Sequence, residues 1–444
     1  MLAFSFAGGL PLCAKEPLRS SPDDFLNLLN GNPADAAAHI DRIDQHWGPG
    51  DKAMLVETLS MGFRRRSASA IEKIILKKTG QDANTDLNAL WQHVWKEPYT
   101  PHPDYAEFKE KLYRQIDPRF AEYFAKNPKT EIRLDEIRWG GVLRDGIPPL
   151  KDPETLAANK ATYLNDGDVV FGVSFNGESR AYPKRILAWH EMVKDHVGGV
   201  SINGVYCTLC GSMIVYSTEL EGKHYELGTS GFLYRSNKLM YDHTTKSMWS
   251  TLEGKPVVGP LVGQGILLKP LYVVTTTWGE WKRRHPDTTV LSLNTGHERN
   301  YGEGVAYKDY FSTDRLMFDI PDALKDDRLK NKERILALRS GKNDGDVLAL
   351  SVDFLARHPV HQQKLGNKQL VILTDPSGAS RVYDAGEKHF TSWDGKTEAV
   401  DDAGGKWNVT EAALTGEVML PRFPAHEAFW FGWHSAFPKT QLVK

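Results

Sequence analysis

Residues 204–217 read GVYCTLCGSMIVYS. Two of the chain's three cysteines, Cys207 and Cys210, stand in this stretch with two residues between them. Apolar and β-branched residues flank them, so the stretch predicts strand, turn, strand with the cysteines at the turn. A thioredoxin-like pair instead follows a strand and opens a helix. A disulfide across so small a loop removes little chain entropy, which makes a structural staple a weak explanation. Three uses stay open: a metal site, thiol–disulfide exchange, or buried free thiols that pack as small hydrophobes.

The stretch has an echo further along. VYCTLCGSMIVY aligns with ILTDPSGASRVY, GKHYEL with EKHFTS, and WGEWKRRHPDTTVL with WFGWHSAFPKTQLV. DGDVVFGVSFNG and the helix after it align with DGDVLALSVDFLARHPVH once a gap is allowed. Gly211 pairs with Gly378, Tyr216 with Tyr383, His224 with His389, Trp281 with Trp433 and Pro286 with Pro438. Order kept over such a distance predicts a tandem-duplicated, β-rich α+β domain. The alignment sets Cys207 against Thr374 and Cys210 against Ser377, so the second copy is degenerate and lacks both thiols. A fold that persists without them does not need a structural zinc there. His190 aligns with His358, whereas His243 has no histidine partner.

Around this core the chain divides into an apolar start at 1–18, an α-helical domain at 19–130, the first α+β copy at 131–320 and the second at 321–444. SPDDFLNLLNG offers Ser21 as an N-cap and apolar residues at helical spacing. The helices that follow, one of them stopping at Gly80, resemble a HEAT-like stack, a surface that commonly holds protein partners. DVVFGVSFNG predicts a strand turning at Asn176-Gly177. AYPKRILAWHEMVKDHVGG predicts a helix ending at Gly198-Gly199, and TTTWGEWKRRHPDTTVL a helix followed by a strand.

Composition is that of a globular protein: 41% hydrophobic, 25% charged, net charge −2. That balance gives no electrostatic case for nucleic acid, and RRR at 64–66 and KRRH at 282–285 are too short to change it. No apolar run has the length of a membrane span. The start MLAFSFAGGLPLCAKE has an apolar run of signal-peptide length but no Lys or Arg before it. It reads as the remnant of an export signal, with a short apolar arm as the alternative. Export would carry Cys13 away and leave the Cys207–Cys210 pair alone, in a periplasmic or extracellular protein.

WHEMVKDHVGGV, YCTLCGSMIVY, GTSGFLYRSNKLMYDHTTKSMWS and TTWGEWKRRHPDTTVLS, in this order, resemble the prokaryotic family known as domain of unknown function 3179. The resemblance runs from about Trp139 to Leu293 and weakens toward the C-terminus. It implies export, since the family is often found in exported proteins, and it brings no activity with it. Thr208 replaces the family's proline between the cysteines. Arg235 and Asn237 depart from its Y-N-S-D pattern, and His243 stands where it has arginine.

Two thiolates this close can converge on one soft ion, and they are too few for an iron–sulfur cluster. The expected centre is a copper ion, or alternatively zinc, held by Cys207 and Cys210 with His190 or, second, His243. Three protein ligands would leave a position open for a small-molecule or peptide substrate, with Glu191 as a base. The function expected is then a metal-dependent oxidoreductase. The alternatives are a thiol–disulfide redox protein using Cys207 and Cys210, or a non-catalytic ligand- or partner-binding module.

Overall fold

The computed structural model describes residues 19–29, 33–62, 68–81, 86–341 and 346–444. The apolar start at 1–18 and the arginines at 64–66 lie outside the described residues. The fold is α+β, with helices between residues 22 and 124 followed by a β-rich region. Among the described residues no helix is long and apolar enough to cross a membrane.

The helices form where the sequence marks them. Ser21 opens the helix Pro22–Asn27, and the Asp24 carboxylate accepts hydrogen bonds from the Ser21 amide (3.0 Å) and hydroxyl (2.9 Å). Phe25 of this first helix packs edge-on against Phe108 of Tyr105–Arg114, with ring centroids 6.1 Å apart. In a solenoid, contacts run between neighbouring repeats. Here the first helix packs against the last long one, so the group closes on itself. A buried charge then fastens it to the sheets. Lys109 Nζ donates to Glu57 at 2.6 Å and to the carbonyl of Ile137 at 2.9 Å, where the first strand begins. Phe232, from the strand Leu227–Tyr234, inserts its ring among Tyr113, Phe120 and Phe124.

After three short strands, Ile137–Trp139, Leu150–Lys151 and Thr155–Ala157, the β-rich region forms a hairpin. Val169–Phe175 turns at Asn176 (φ 48°) and Gly177 (φ 86°) into Glu178–Pro183, the two-residue turn that Asn-Gly favours. The helix Lys184–His190 follows and stops sooner than expected. Glu191 takes a left-handed conformation (φ 55°), and Met192–Val197 continues as a strand paired with Val200–Cys207. Gly198-Gly199 is therefore a hairpin turn and not a helix end. MVKDHV alternates in burial and satisfies the strand period once it has a partner. Gly198 is required there, since a Cβ would lie 2.0 Å from the Phe175 carbonyl oxygen.

Two sheets share a strand order. In the first, Val274–Thr277 lies antiparallel to Val169–Phe175, which is antiparallel to Glu178–Pro183, which is parallel to Thr289–Leu291. In the second, Ala425–Phe429 lies antiparallel to Arg334–Arg339, which is antiparallel to Val347–Ser351, which is parallel to Gln441–Val443. A tryptophan helix precedes the last strand of each. Trp281 donates to Thr288 Oγ1 at 2.9 Å and Trp433 to Thr440 Oγ1 at 2.9 Å. Each sheet is accompanied by an antiparallel hairpin, Val200–Cys207 with Ser212–Ser217 and Lys368–Thr374 with Ser380–Asp384. Tyr216 and Tyr383, one in each hairpin, donate to the carbonyls of Thr251 (2.7 Å) and Thr410 (2.6 Å).

Candidate functional site

The cysteines sit at the turn of the first hairpin, as the strand–turn–strand pattern requires. Cys207 is the last residue of its strand and pairs with Ser212. The chain reverses through Gly211, whose φ of 60° suits glycine and whose missing side chain admits the ring of Phe429. Cys207 and Cys210 are joined as a disulfide, with Cα atoms 5.3 Å apart. Both are buried in an apolar cluster with Leu209, Leu233 and Tyr310. The turn is clamped from two sides. The Phe429 amide donates to the Cys210 carbonyl at 2.7 Å, and the Tyr310 hydroxyl donates to the Leu209 carbonyl at 2.7 Å.

The two sulfurs have different surroundings. Cys207 lines a pocket of about 70 Å³ together with Glu191, Thr208, Lys238 and Tyr307. Cys210 faces inward instead. Its Sγ lies 3.5 Å from the carbonyl oxygen of Ser236, in the two-residue turn Arg235-Ser236.

Glu191 organises the polar wall of that pocket. The left-handed residue ends its helix and projects the side chain beneath the cysteine turn. Its carboxylate accepts from Thr208 Oγ1 at 2.6 Å, Lys238 Nζ at 2.7 Å and the Tyr307 hydroxyl at 3.2 Å. Lys238 and Glu191 are both buried, and such a pair persists only when its charges and hydrogen bonds are matched. Burial, followed by the Glu191 charge, raises the Tyr307 phenol well above its usual range, so it remains a donor. Tyr307, like Glu191, is a non-glycine residue at a positive φ (55°). Backbone conformations of this kind are sparsely populated and gather at functional sites.

The histidines lie elsewhere. His190 is fully buried, and its Nδ1 donates to the Pro148 carbonyl at 2.9 Å. Its Nε2 is therefore the acceptor, and it takes the Tyr301 hydroxyl at 2.6 Å. Burial pulls the imidazole pKa down to about 4, so the ring is neutral and both nitrogens are used. His243 stacks on Tyr241, with centroids 4.9 Å apart, and its buried Nε2 has no hydrogen-bond partner among the described residues. Burial lowers its pKa as well. Among the described residues no group of three or more His, Cys, Asp or Glu side chains is arranged to hold a metal ion. Of the expected site residues, the fold thus brings Cys207, Cys210 and Glu191 together and leaves His190 and His243 apart.

Sequence reasoning missed Thr208, Lys238 and Tyr307 as partners of Glu191. Thr208 carried one signal, for it stands where the resembled family has proline, and its hydroxyl gives the carboxylate a donor that a proline ring lacks. Arg235 and Asn237, two further departures, brace the turn over Cys210. Arg235 donates to Glu136 at 2.5 Å and to the Ser435 carbonyl at 2.9 Å, and Asn237 donates to the Gly432 carbonyl at 3.0 Å.

No curated protein and no solved structure matches the chain. A family model described as "Protein of unknown function (DUF3179)" matches residues 144–440, which take in Glu191, the disulfide and both tryptophan helices. The chain belongs to the DUF3179 family.

Proposed function

We propose that the protein is a thiol–disulfide redox protein whose Cys207–Cys210 pair exchanges two electrons and two protons with small thiols. The observation that supports this most is the asymmetry of the pair: Cys207 lines a largely apolar pocket with one polar wall, and Cys210 is turned into the protein. An incoming thiol gives its proton to Glu191, and its sulfur attacks Cys207 Sγ. The Cys207–Cys210 bond breaks, and its electron pair goes to Cys210, which is left as a thiolate and takes up a proton. A second thiol then attacks the substrate sulfur of the mixed disulfide. It releases the substrate as a disulfide and Cys207 as a thiolate beside Lys238, whose positive charge favours that form until the second thiol's proton is taken up by Cys207, while the proton held by Glu191 passes to Cys210. The sum is two thiols and one protein disulfide giving one substrate disulfide and one protein dithiol.

Export agrees with this reading, because disulfides persist in oxidising compartments. Copper or zinc enters it only through the reduced pair, whose two thiolates would be free to bind a soft ion. His190 would first have to give up Tyr301. The helical group is read as a partner-holding surface beside the redox unit.

We further infer that the two sheets and their hairpins arose by duplication and that only the first retains the chemistry. Shared strand order, the paired tryptophans and the paired tyrosines support this. If Tyr216 and Tyr383 are equivalent, the hydrogen-bond register sets Asp375 at the place of Cys207, not Thr374 as the alignment has it. Cys207 pairs with Ser212, and the Asp375 amide bonds the Ala379 carbonyl, each four residues before its tyrosine. The second turn is then one residue shorter. Asp375 spends its carboxylate on Arg381 (2.9 Å), an ion pair with no exposure to solvent.

The test is reduction of the native protein by millimolar 2-mercaptoethanol, followed by alkylation and intact-mass measurement. The proposal expects both Cys207 and Cys210 to be modified while the fold is retained. A disulfide that withstands the thiol until the protein is denatured would sink it.

A further inference from the structure

The pocket beside Cys207 has a neighbour. A shallow groove of about 490 Å³ runs past Trp189 and Arg299 and shares Val142, Ile147 and Tyr307 with the pocket. Three common wall residues make it the approach to the disulfide, with Tyr307 standing between the two spaces. The groove has the volume of a small-molecule site, whereas the pocket has room only for the reacting end of a ligand.

The groove is apolar except at one place. Trp189 is held by a hydrogen bond from its indole to the Asn300 carbonyl at 2.9 Å, and Ile147, Val142 and Ala188 add further apolar wall. Arg299 supplies the charge. Its guanidinium is exposed, its hydrogen bond at 2.9 Å goes to the Glu298 carbonyl, and it forms no ion pair among the described residues. No acidic side chain lines the groove among the described residues, and Glu303 is engaged by Arg185 at 3.0 Å. Inside the pocket the charges of Lys238 and Glu191 balance each other. Among the described residues that line the groove and the pocket, the one charge without an opposite partner is therefore positive and belongs to a side chain built to hold a carboxylate by two parallel hydrogen bonds.

We propose that the substrate is a low-molecular-weight thiol carrying a carboxylate, with Arg299 as the positioning residue that binds the carboxylate while the sulfur passes Tyr307 to reach Cys207. This rests on the thiol–disulfide reading. One exchange consumes two such thiols and yields their disulfide, with the balance already given.

The test compares rates of reduction of the native disulfide by mercaptoacetate, 2-mercaptoethanol and cysteamine, each corrected to its thiolate concentration. Wild-type protein should prefer mercaptoacetate to cysteamine by about fivefold, the size expected of one exposed charge pair. Arg299→Gln should bring the ratio close to one, and Arg299→Glu should invert it. Each rate is divided by the rate of the same variant with neutral 2-mercaptoethanol, so a merely structural role for Arg299 would lower all three alike and leave the ratio where it is in the wild type. A wild-type ratio near one, or a ratio that survives Arg299→Glu, overturns the carboxylate assignment and leaves the redox reading intact. Failure of all three thiols to reduce the disulfide overturns both.

Discussion

Glu191 carries two burdens at a single position. Its backbone ends a helix in the left-handed region, and its side chain collects three donors beside the disulfide. Glu191→Gln keeps the shape and removes the base, so reduction by 2-mercaptoethanol should slow by about a hundredfold, the lower end for general-base assistance. Stopped-flow reduction rates check this. His190 makes a prediction of another kind. Its folded-state pKa of about 4 lies below the ordinary 6.5, so the unfolded chain takes up the proton first. The contribution of His190 to stability is complete above about pH 6.5 and is lost as pH falls toward 4. Thermal midpoints should drop over that window, and the drop should be shallower in His190→Gln. At this scale the cysteines and Glu191 were legible because they lie within twenty residues of one another and carry distinctive chemistry. Lys238 and Tyr307 were not, since they arrive from a separate strand and a distant loop and no spacing links them. His190 looked like a ligand because the sequence shows its ring but not the Tyr301 hydroxyl that occupies it.

At the scale of elements, local signals worked where turn chemistry decides the outcome. Asn176-Gly177 forced one hairpin, and the β-branched flanks of the cysteine pair forced another. They failed at residues 192–197, where MVKDHV fits either period and the partner strand settles the matter. The packing of the helices was likewise hidden, because the contact of Phe25 with Phe108 depends on chain path. Lys109 is the pin of that arrangement, joining Glu57 to the Ile137 carbonyl with no exposure to solvent. Lys109→Met should destabilise the protein by about 3–5 kcal/mol, because Glu57 is left buried without its partner. Denaturant unfolding checks this. Glu57→Gln in the same chain should recover part of the loss.

At the scale of the whole molecule, the two halves lean on each other. The cysteine turn is held by the Phe429 amide of the second sheet, and Ser377 of the second hairpin meets Thr276 of the first sheet at 3.3 Å. Trp281 and Trp433 occupy matching places and make matching bonds. Trp281→Phe and Trp433→Phe should therefore cost similar amounts, each about 1–3 kcal/mol for the unpaired threonine and lost packing, and leave one cooperative unfolding transition. Calorimetry would show two transitions if the halves were independent. Within this frame the first hairpin places one sulfur toward a pocket and the other toward the protein, and that difference is the centre of the account. It is tested most directly by trapping. Cys210→Ser and Cys207→Ser variants, native and treated with an aromatic disulfide, are followed by intact mass over time. The account predicts rapid formation of a mixed disulfide on Cys207 in the first and little or none on Cys210 in the second. Equal labelling of both, or faster labelling of Cys210, would contradict it.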